Sequence, residues 1–457
     1  MLGRRPDATE TRAAIDTVRV NVRRSPAEKY RLCCNCDDLG LLIEIERPYN
    51  QNATVMNVRN ASSEDRVISL GPELIPIPER LLLAHARGEV LLICGAGVSQ
   101  PANLPDFRQL VLDIYGAVDS GAHTVLSTVP NGSCNQWETD CRTLTDSQTA
   151  EIKRFIGRDY DVVLGMLERR LDDRTRGDSR VRSEVAKHLT LNRKPAAIHR
   201  ALVRLADRGG TTTIVTTNFD LLLEAAAKRI GVRAQTYSLG AIPRPTHRND
   251  FSGILHIHGA LEMHKGRHSE LVLSDRDFGE YYLRRRVVPD FIYDAARLFH
   301  LVLIGYSAND PPMRYLLNAV AADGSRFSDL KERFTFFGTS SPDSVALEDW
   351  RARGITPIHY NANGNHAVLL ATLERWATFS AINGNPKRID SEIRRIVKTK
   401  RAAASEADRD LFDHLIRRSN ASERTRLSRL ASNFRADLDW LNAIVRIGAE
   451  REHTRTH

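Results

Sequence analysis

The chain has 457 residues and a formal net charge of +9, with 42% hydrophobic and 27% charged residues. That composition suits a soluble globular protein of two or three domains. No run of about 18 apolar residues is present, which argues against a transmembrane helix. Met1 to Pro6 lead into a polar stretch without an apolar signal core, so a cytoplasmic protein without membrane attachment is expected.

Residues 1–76 are expected to form an N-terminal extension containing β-structure. Leu41–Ile45 and Ala53–Val58 have strand-like composition. Cys33 and Cys36 have C-x-x-C spacing with Cys34 between them, but no second pair completes a zinc site. No metal is expected. Pro72, Pro76 and Pro78 predict an extended linker, and the domain boundary is placed at residue 77.

Residues 77–380 alternate strand-like and helix-like segments. Val90–Cys94, Thr212–Thr216, Leu301–Ile304 and Phe334–Phe337 are continuous apolar or β-prone runs, suited to parallel strands covered on both faces. Helical patterns such as Asp161–Leu171 and Asp220–Lys228 separate them. The expected fold is α/β, a doubly wound parallel sheet of Rossmann type, with its ligand beyond the carboxyl ends of the strands. From residue 381 the pattern turns helical and basic, with 17 Lys and Arg against 11 Asp and Glu. Leu427, Leu430, Phe434, Leu438, Leu441 and Val445 predict one apolar stripe. This segment would pack on the main domain or on another subunit. Direct nucleic-acid binding is the alternative reading of its charge.

Four motifs fall at strand ends. Gly95-Ala96-Gly97-Val98-Ser99 follows the first apolar strand, and glycines let such a turn approach a phosphate closely. Pro105-Asp106-Phe107-Arg108 adds a carboxylate, an aromatic face and a guanidinium. Thr216-Thr217-Asn218-Phe219-Asp220 ends the second; Asp220 could cap the next helix, whereas the Asn218 amide could hold a ribose hydroxyl and a water. Leu255–Ala260 alternates, predicting a short strand with His256 and His258 on one face. Leu303-Ile304-Gly305-Tyr306-Ser307-Ala308-Asn309-Asp310-Pro311 leads from a strand into a polar loop, where Asn309 and Asp310 could equally cap a helix.

In this order the four motifs resemble the sirtuin family over roughly residues 79–375. The resemblance implies NAD as substrate, Asn218 and His258 as the catalytic pair, and Asp220 as the group that recognises nicotinamide. The nucleotide-binding set it implies is Gly95, Ala96, Gly97, Ser99, Asp106, Phe107, Arg108, Thr217, Asp220, Gly305, Ser307 and Asn309. Asn103 stands where sirtuins have glycine, and Thr217 where they have glutamine. Between His258 and Gly305 there is no cysteine, so the zinc module of deacylase sirtuins is missing. The Gly-Tyr-Ser-x-Asn-Asp-Pro motif is similar to that of sirtuin-like effectors of bacterial anti-phage defence. That likeness implies NAD hydrolysis to ADP-ribose and nicotinamide, and depletion of NAD. It also implies a gated homo-oligomer with a partner such as an ATPase or a nucleic-acid-guided protein. NAD-dependent protein deacylation and non-catalytic sensing of NAD or ADP-ribose are the alternatives.

Overall fold

The computed structural model describes residues 66–453, apart from 132–138, 173–178, 191–192, 210–211, 262–269, 307–316, 318–319, 321–328 and 342. The strand-like segments at 41–45 and 53–58, the Cys33, Cys34 and Cys36 group, and Ser307, Asn309 and Asp310 lie outside the described residues.

Val67–Ile68 (β1) and Ile77–Pro78 (β2) pair antiparallel, so the proline-rich stretch reverses direction instead of running extended, with Leu74 N–H donating to the Gly71 carbonyl at 3.3 Å and Glu73 at φ +59°. It is also anchored. Ile68, Leu70, Ile75 and Ile77 are buried in the main core, and the Ile75 N–H donates to Thr372 Oγ1 at 3.1 Å.

Seven strands make one wholly parallel sheet: Val90–Cys94 (β3), Thr213–Thr216 (β4), Thr236–Tyr237 (β5), Gly253–His256 (β6), His300–Ile304 (β7), Arg333–Thr339 (β8) and Thr356–Asn361 (β9). Their spatial order is β5-β6-β4-β3-β7-β8-β9. Succession runs outward from β3 in one direction through β4, then returns to β7 on its other side. The order therefore reverses between β3 and β7, where doubly wound sheets open a ligand crevice.

Alternation along each strand sends side chains to two separate cores. Leu92, Cys94, Ile214, Ile254, Val302 and Ile304 join one face, under helices Glu79–Ala86, Ala197–Ala206 and Ala367–Thr378. Leu91, Ile93, Val215, Leu255, Leu301 and Leu303 join the other, with Phe291, Ile292 and Ala295 of helix Val287–Leu298. Burial on both faces accounts for the unbroken apolar runs.

Between β3 and β4 the simple alternation fails. Besides Ala197–Ala206, five α-helices fill this span among the described residues: Phe107–Val118, Ser120–Leu126, Asp146–Ile156, Tyr160–Leu171 and Arg180–Leu189. They enclose a third core of their own, including Ile114, Phe155, Val163 and Val185, which Leu261, Leu271 and Leu273 complete. Arg182 of the last helix crosses that junction. Its guanidinium donates to Glu168 Oε1 at 2.7 Å, to Asp277 Oδ2 at 2.6 Å and to the Leu271 carbonyl at 2.9 Å.

After β9 come Pro386–Val397, Glu406–Arg418, Ala421–Asn433 and Leu438–His453. The single stripe expected here is interrupted: Leu427, Leu430, Phe434 and Leu441 pack on the core, whereas Leu438 and Val445 do not. The chain leaves the helix at Phe434 and restarts at Leu438, which rotates the apolar set out of register; Leu438 and Val445 are 74% and 72% exposed. Leu427, Trp440, Ile444 and Ile447 form the buried face instead, continuous with the sheet core. Several arginines of this segment are paired within the chain: Arg395 with Glu392, Arg401 with Asp413, Arg417 with Glu79 and Arg426 with Asp390.

Candidate functional site

The site is built where β3, β4 and β7 end side by side. Gly95 N–H donates to the Ile304 carbonyl at 3.0 Å and Gly97 N–H to the Gly305 carbonyl at 2.9 Å. A Cβ on Gly95 would lie 2.5 Å from the Gly305 oxygen, and one on Gly305 would lie 2.6 Å from Val98 N. Gly305 also has φ +63°, a left-handed conformation that favours glycine. These glycines therefore serve first to let two backbones touch. Gly97 and Gly305 spend their groups on each other, whereas Ala96 faces solvent at the crest of the turn. Asn103 also adopts a left-handed φ of +60°, which asparagine tolerates, so it can stand where glycine is usual.

Asn218 crosses from β4 to this loop. Its Nδ2 donates to the Gly95 carbonyl at 3.1 Å and to Ser99 Oγ at 2.9 Å. Ser99 Oγ in turn donates to Asp220 Oδ2 at 2.8 Å, and Asp220 Oδ1 accepts from Leu222 N–H at 3.0 Å. Asp220 thus bonds the first N–H of the next helix, whose cap residue is Leu221, and reaches the glycine loop through Ser99. Thr217 N–H bonds the Cys94 carbonyl at 3.0 Å, tying β4 to β3 through backbone. Ser99, Asn218 and Asp220 form one connected cluster.

The two histidines part company. The spacing predicts a strand through residue 260, yet β6 ends at His256, because the chain turns at Gly259 with φ +95°. His256 is wholly buried; its Nδ1 meets the Asn218 carbonyl at 2.8 Å and its Nε2 meets Glu224 Oε1 at 2.9 Å. Burial opposes its charge, but Glu224, the Asn218 carbonyl and Asp220 outweigh that and raise its pKa above 6.5. His258 is 6% exposed, hydrogen-bonded at 2.7 Å to the Tyr282 hydroxyl and edge-on to Phe278. Burial pushes its pKa down to about 3, so the ring is neutral across the physiological range.

The Pro-Asp-Phe-Arg motif belongs to the helical module. Asp106 caps helix Phe107–Val118 by accepting from Gln109 N–H at 2.8 Å. Phe107 stands edge-on to Tyr160 with centroids 6.0 Å apart. Arg108 bonds the Val129 carbonyl and lies over the Phe155 ring. None of these bonds joins the Ser99, Asn218 and Asp220 cluster.

Tyr282, Glu224 and His199 were not legible as site residues. His199 is fully buried beside Asp220, with Nδ1 accepting from Ala196 N–H at 3.2 Å and no hydrogen-bond partner for Nε2 among the described residues. Its position in an amphipathic helix gave no signal beyond that of a core residue.

Residues 212–358 match the family model described as SIR2-like domain. The matched stretch contains Asn218, His258 and Gly305 but begins after the glycine loop, which Asn218 joins to it by hydrogen bonds. The uncharacterized protein y4cA of Sinorhizobium fredii is 31% identical over 377 residues, 77% of this chain and 28% of that protein. The chain therefore spans little more than a quarter of that relative's length. A solved structure described as "Structural Basis for the Mechanism and Regulation of Sir2 Enzymes" is 14% identical and covers 65% of this chain and 96% of its own, with a TM-score of 0.32. The Rossmann-type assignment stands on the sheet order itself, and residues 212–358 are similar to the SIR2-like domain family.

Proposed function

We propose that the chain binds NAD across the ends of β3, β4 and β7 and hydrolyses the bond between nicotinamide and ribose. The observation that carries this is the cluster of Asn218, Ser99 and Asp220, set at the strand-order reversal, with His258 just beyond the end of the neighbouring strand β6. The polar groups fit a ribose and a carboxamide: an amide, a hydroxyl and a carboxylate on one half-buried surface, with the exposed Ala96 turn for phosphate. The C1′–N bond breaks with its electron pair going to nicotinamide, which leaves cationic character at the ribose. Water adds at C1′ and loses a proton, giving ADP-ribose. In this scheme Asn218 orients the ribose and the water, Asp220 holds the carboxamide, and His258 accepts the proton directly or through a ribose hydroxyl, a role that requires bound substrate to raise its pKa from about 3.

Hydrolysis is favoured over protein deacylation because the stretch from His258 to Gly305 lacks cysteines for a zinc module. Such an activity has to be gated to be tolerated. The proposal therefore includes a cytoplasmic homo-oligomer acting in anti-phage defence, triggered through an ATPase or nucleic-acid-guided partner. The internal pairing of the C-terminal arginines favours packing over nucleic-acid binding for that segment.

The test follows nicotinamide release from NAD by the purified chain, with and without an acetylated peptide and candidate triggers. Release without peptide is expected, with Asn218→Ala and His258→Ala each lowering it by about 100-fold or more. Release that requires the acyl peptide would overturn hydrolysis in favour of deacylation.

A further inference from the structure

At the opposite, amino-terminal end of the sheet lies a cavity of about 270 Å³ lined by Ala86, Ala381, Arg418, Asn420, Glu423 and Arg424. Ala86 closes the helix that leads into β3, and Ala381 adjoins Ile382, whose side chain touches the turn before β4 at Gly209. The cavity is thus remote along the strands from the glycine loop.

Arg418 is its unusual feature. The residue is 5% exposed, yet among the described residues Nε, Nη1 and Nη2 all lack hydrogen-bond partners, as does Nη1 of Arg424. Its one ion pair, Nη2 to Glu423 Oε1, spans 3.5 Å, too long for a good charge-assisted hydrogen bond. Burial lowers its pKa, Glu423 raises it, and Arg426 lowers it again. A buried guanidinium without acceptors is costly, and native structures rarely leave one so. The helix Ala421–Asn433 begins at the same cavity, with Asn420 taking the Glu423 N–H and the positive end of the helix facing in. Two arginines face one carboxylate.

We infer that this cavity is a binding site for a phosphate group, held by the fork of Arg418, by Arg424 and by the first turn of the helix. A tetrahedral oxyanion offers several acceptors to the orphaned donors, and guanidinium forks match it bidentately. The volume exceeds that of a bare phosphate, leaving room for a small organic group on the ester oxygen. This site does not depend on the proposed NAD chemistry.

The test is thermal unfolding and calorimetry of the full chain with inorganic phosphate or adenosine 5′-monophosphate, at ionic strength fixed with chloride. A saturable rise in melting temperature is expected. Arg418→Met should abolish it while leaving the ligand-free melting temperature unchanged or higher, because an unpaired buried charge has been removed. Asn218→Ala should keep the response, which separates this site from the carboxyl end. Equal responses to the two probes assign the site to free phosphate, and tighter binding of the nucleotide assigns it to a phosphate ester. Should Arg418→Met fail to fold, Arg424→Gln decides, with an expected loss of about tenfold in affinity. No response in the wild-type chain, or one that survives these substitutions, overturns the inference.

Discussion

Two buried arginines, one beside each end of the sheet, are treated in opposite ways. Arg182, 1% exposed, joins the helical module to the segment after β6 and has every face of its guanidinium answered by Glu168, Asp277 or the Leu271 carbonyl. The Arg418 guanidinium has no hydrogen-bond partner among the described residues, only Glu423 at 3.5 Å. Asp277 is itself saturated, accepting from Leu273 N–H, Ser274 N–H and Ser274 Oγ as well. A polar group whose partners are all internal holds a structure together. One whose partners are missing marks a place where the folded chain alone is incomplete.

The sharpest way to break this contrast is to make both residues methionine. Arg182→Met removes the cation that Glu168 and the fully buried Asp277 share, and should cost about 3–5 kcal/mol in urea unfolding. Arg418→Met removes a charge that only Glu423, at 3.5 Å, opposes, and should change stability by less than about 1 kcal/mol. Equal losses would mean that Arg418 is as structural as Arg182.

The carboxyl end offers a second contrast, between glycines needed for contact and those needed only for conformation. Gly95→Ala drives a methyl group into the Gly305 carbonyl and Tyr306 Cα, backbone atoms that cannot swing aside. It should cost about 3 kcal/mol and abolish the proposed binding of NAD. Gly231, with φ +74° and open space around it, should lose only about 1 kcal/mol on the same change. Chemical denaturation compares them directly, and similar losses would show that the β3–β7 contact is not what the glycines protect.

The glycine loop, the parallel strands and Asn218 were legible because each rests on local chemistry: a turn that needs glycine, an apolar run, a polar residue at a strand end. The third core was not. Ile114, Phe155 and Val185 have ordinary helical spacing, and nothing in it tells whether a helix covers the sheet or packs with other helices. The C-terminal stripe misled for a related reason. Leu427 and Leu438 share one periodicity on paper, but Arg435, with φ +56°, breaks the helix between them. The His256 and His258 pair looked alike in alternation, and only the turn at Gly259 separates a positioning ring from a neutral one.

Acid should weaken both ends together. Burial lowers the pKa of His258 to about 3; at the other end burial, partly offset by the Leu205 carbonyl, and the charges of Arg208 and Arg418 lower that of His85 to about 4. Between those values and 6.5 the unfolded chain binds more protons than the folded one. The stability each neutral ring contributes is complete above pH 6.5 and is lost as pH falls. By pH 5 the loss should reach about 2 kcal/mol per ring. Urea midpoints at pH 7 and pH 5 measure it, and His85→Gln should flatten the dependence; an unchanged slope would mean that His85 is not held neutral.

The smallest effect expected is at Glu224, and its pH dependence runs the other way. The raised pKa of His256 means that its interaction with Glu224 is fully present below pH 6.5 and fades as pH rises through the folded-state value. Glu224→Gln should therefore remove about 1 kcal/mol at pH 6 and much less at pH 9. The loss stays small because the Asn218 side chain keeps its own anchors on Gly95 and Ser99 when the hold of His256 on its carbonyl loosens. Unfolding of the two proteins across that range supplies the measurement. A difference independent of pH would show that His256 carries no proton in the folded chain, and that Glu224 acts on it only as a hydrogen-bond acceptor.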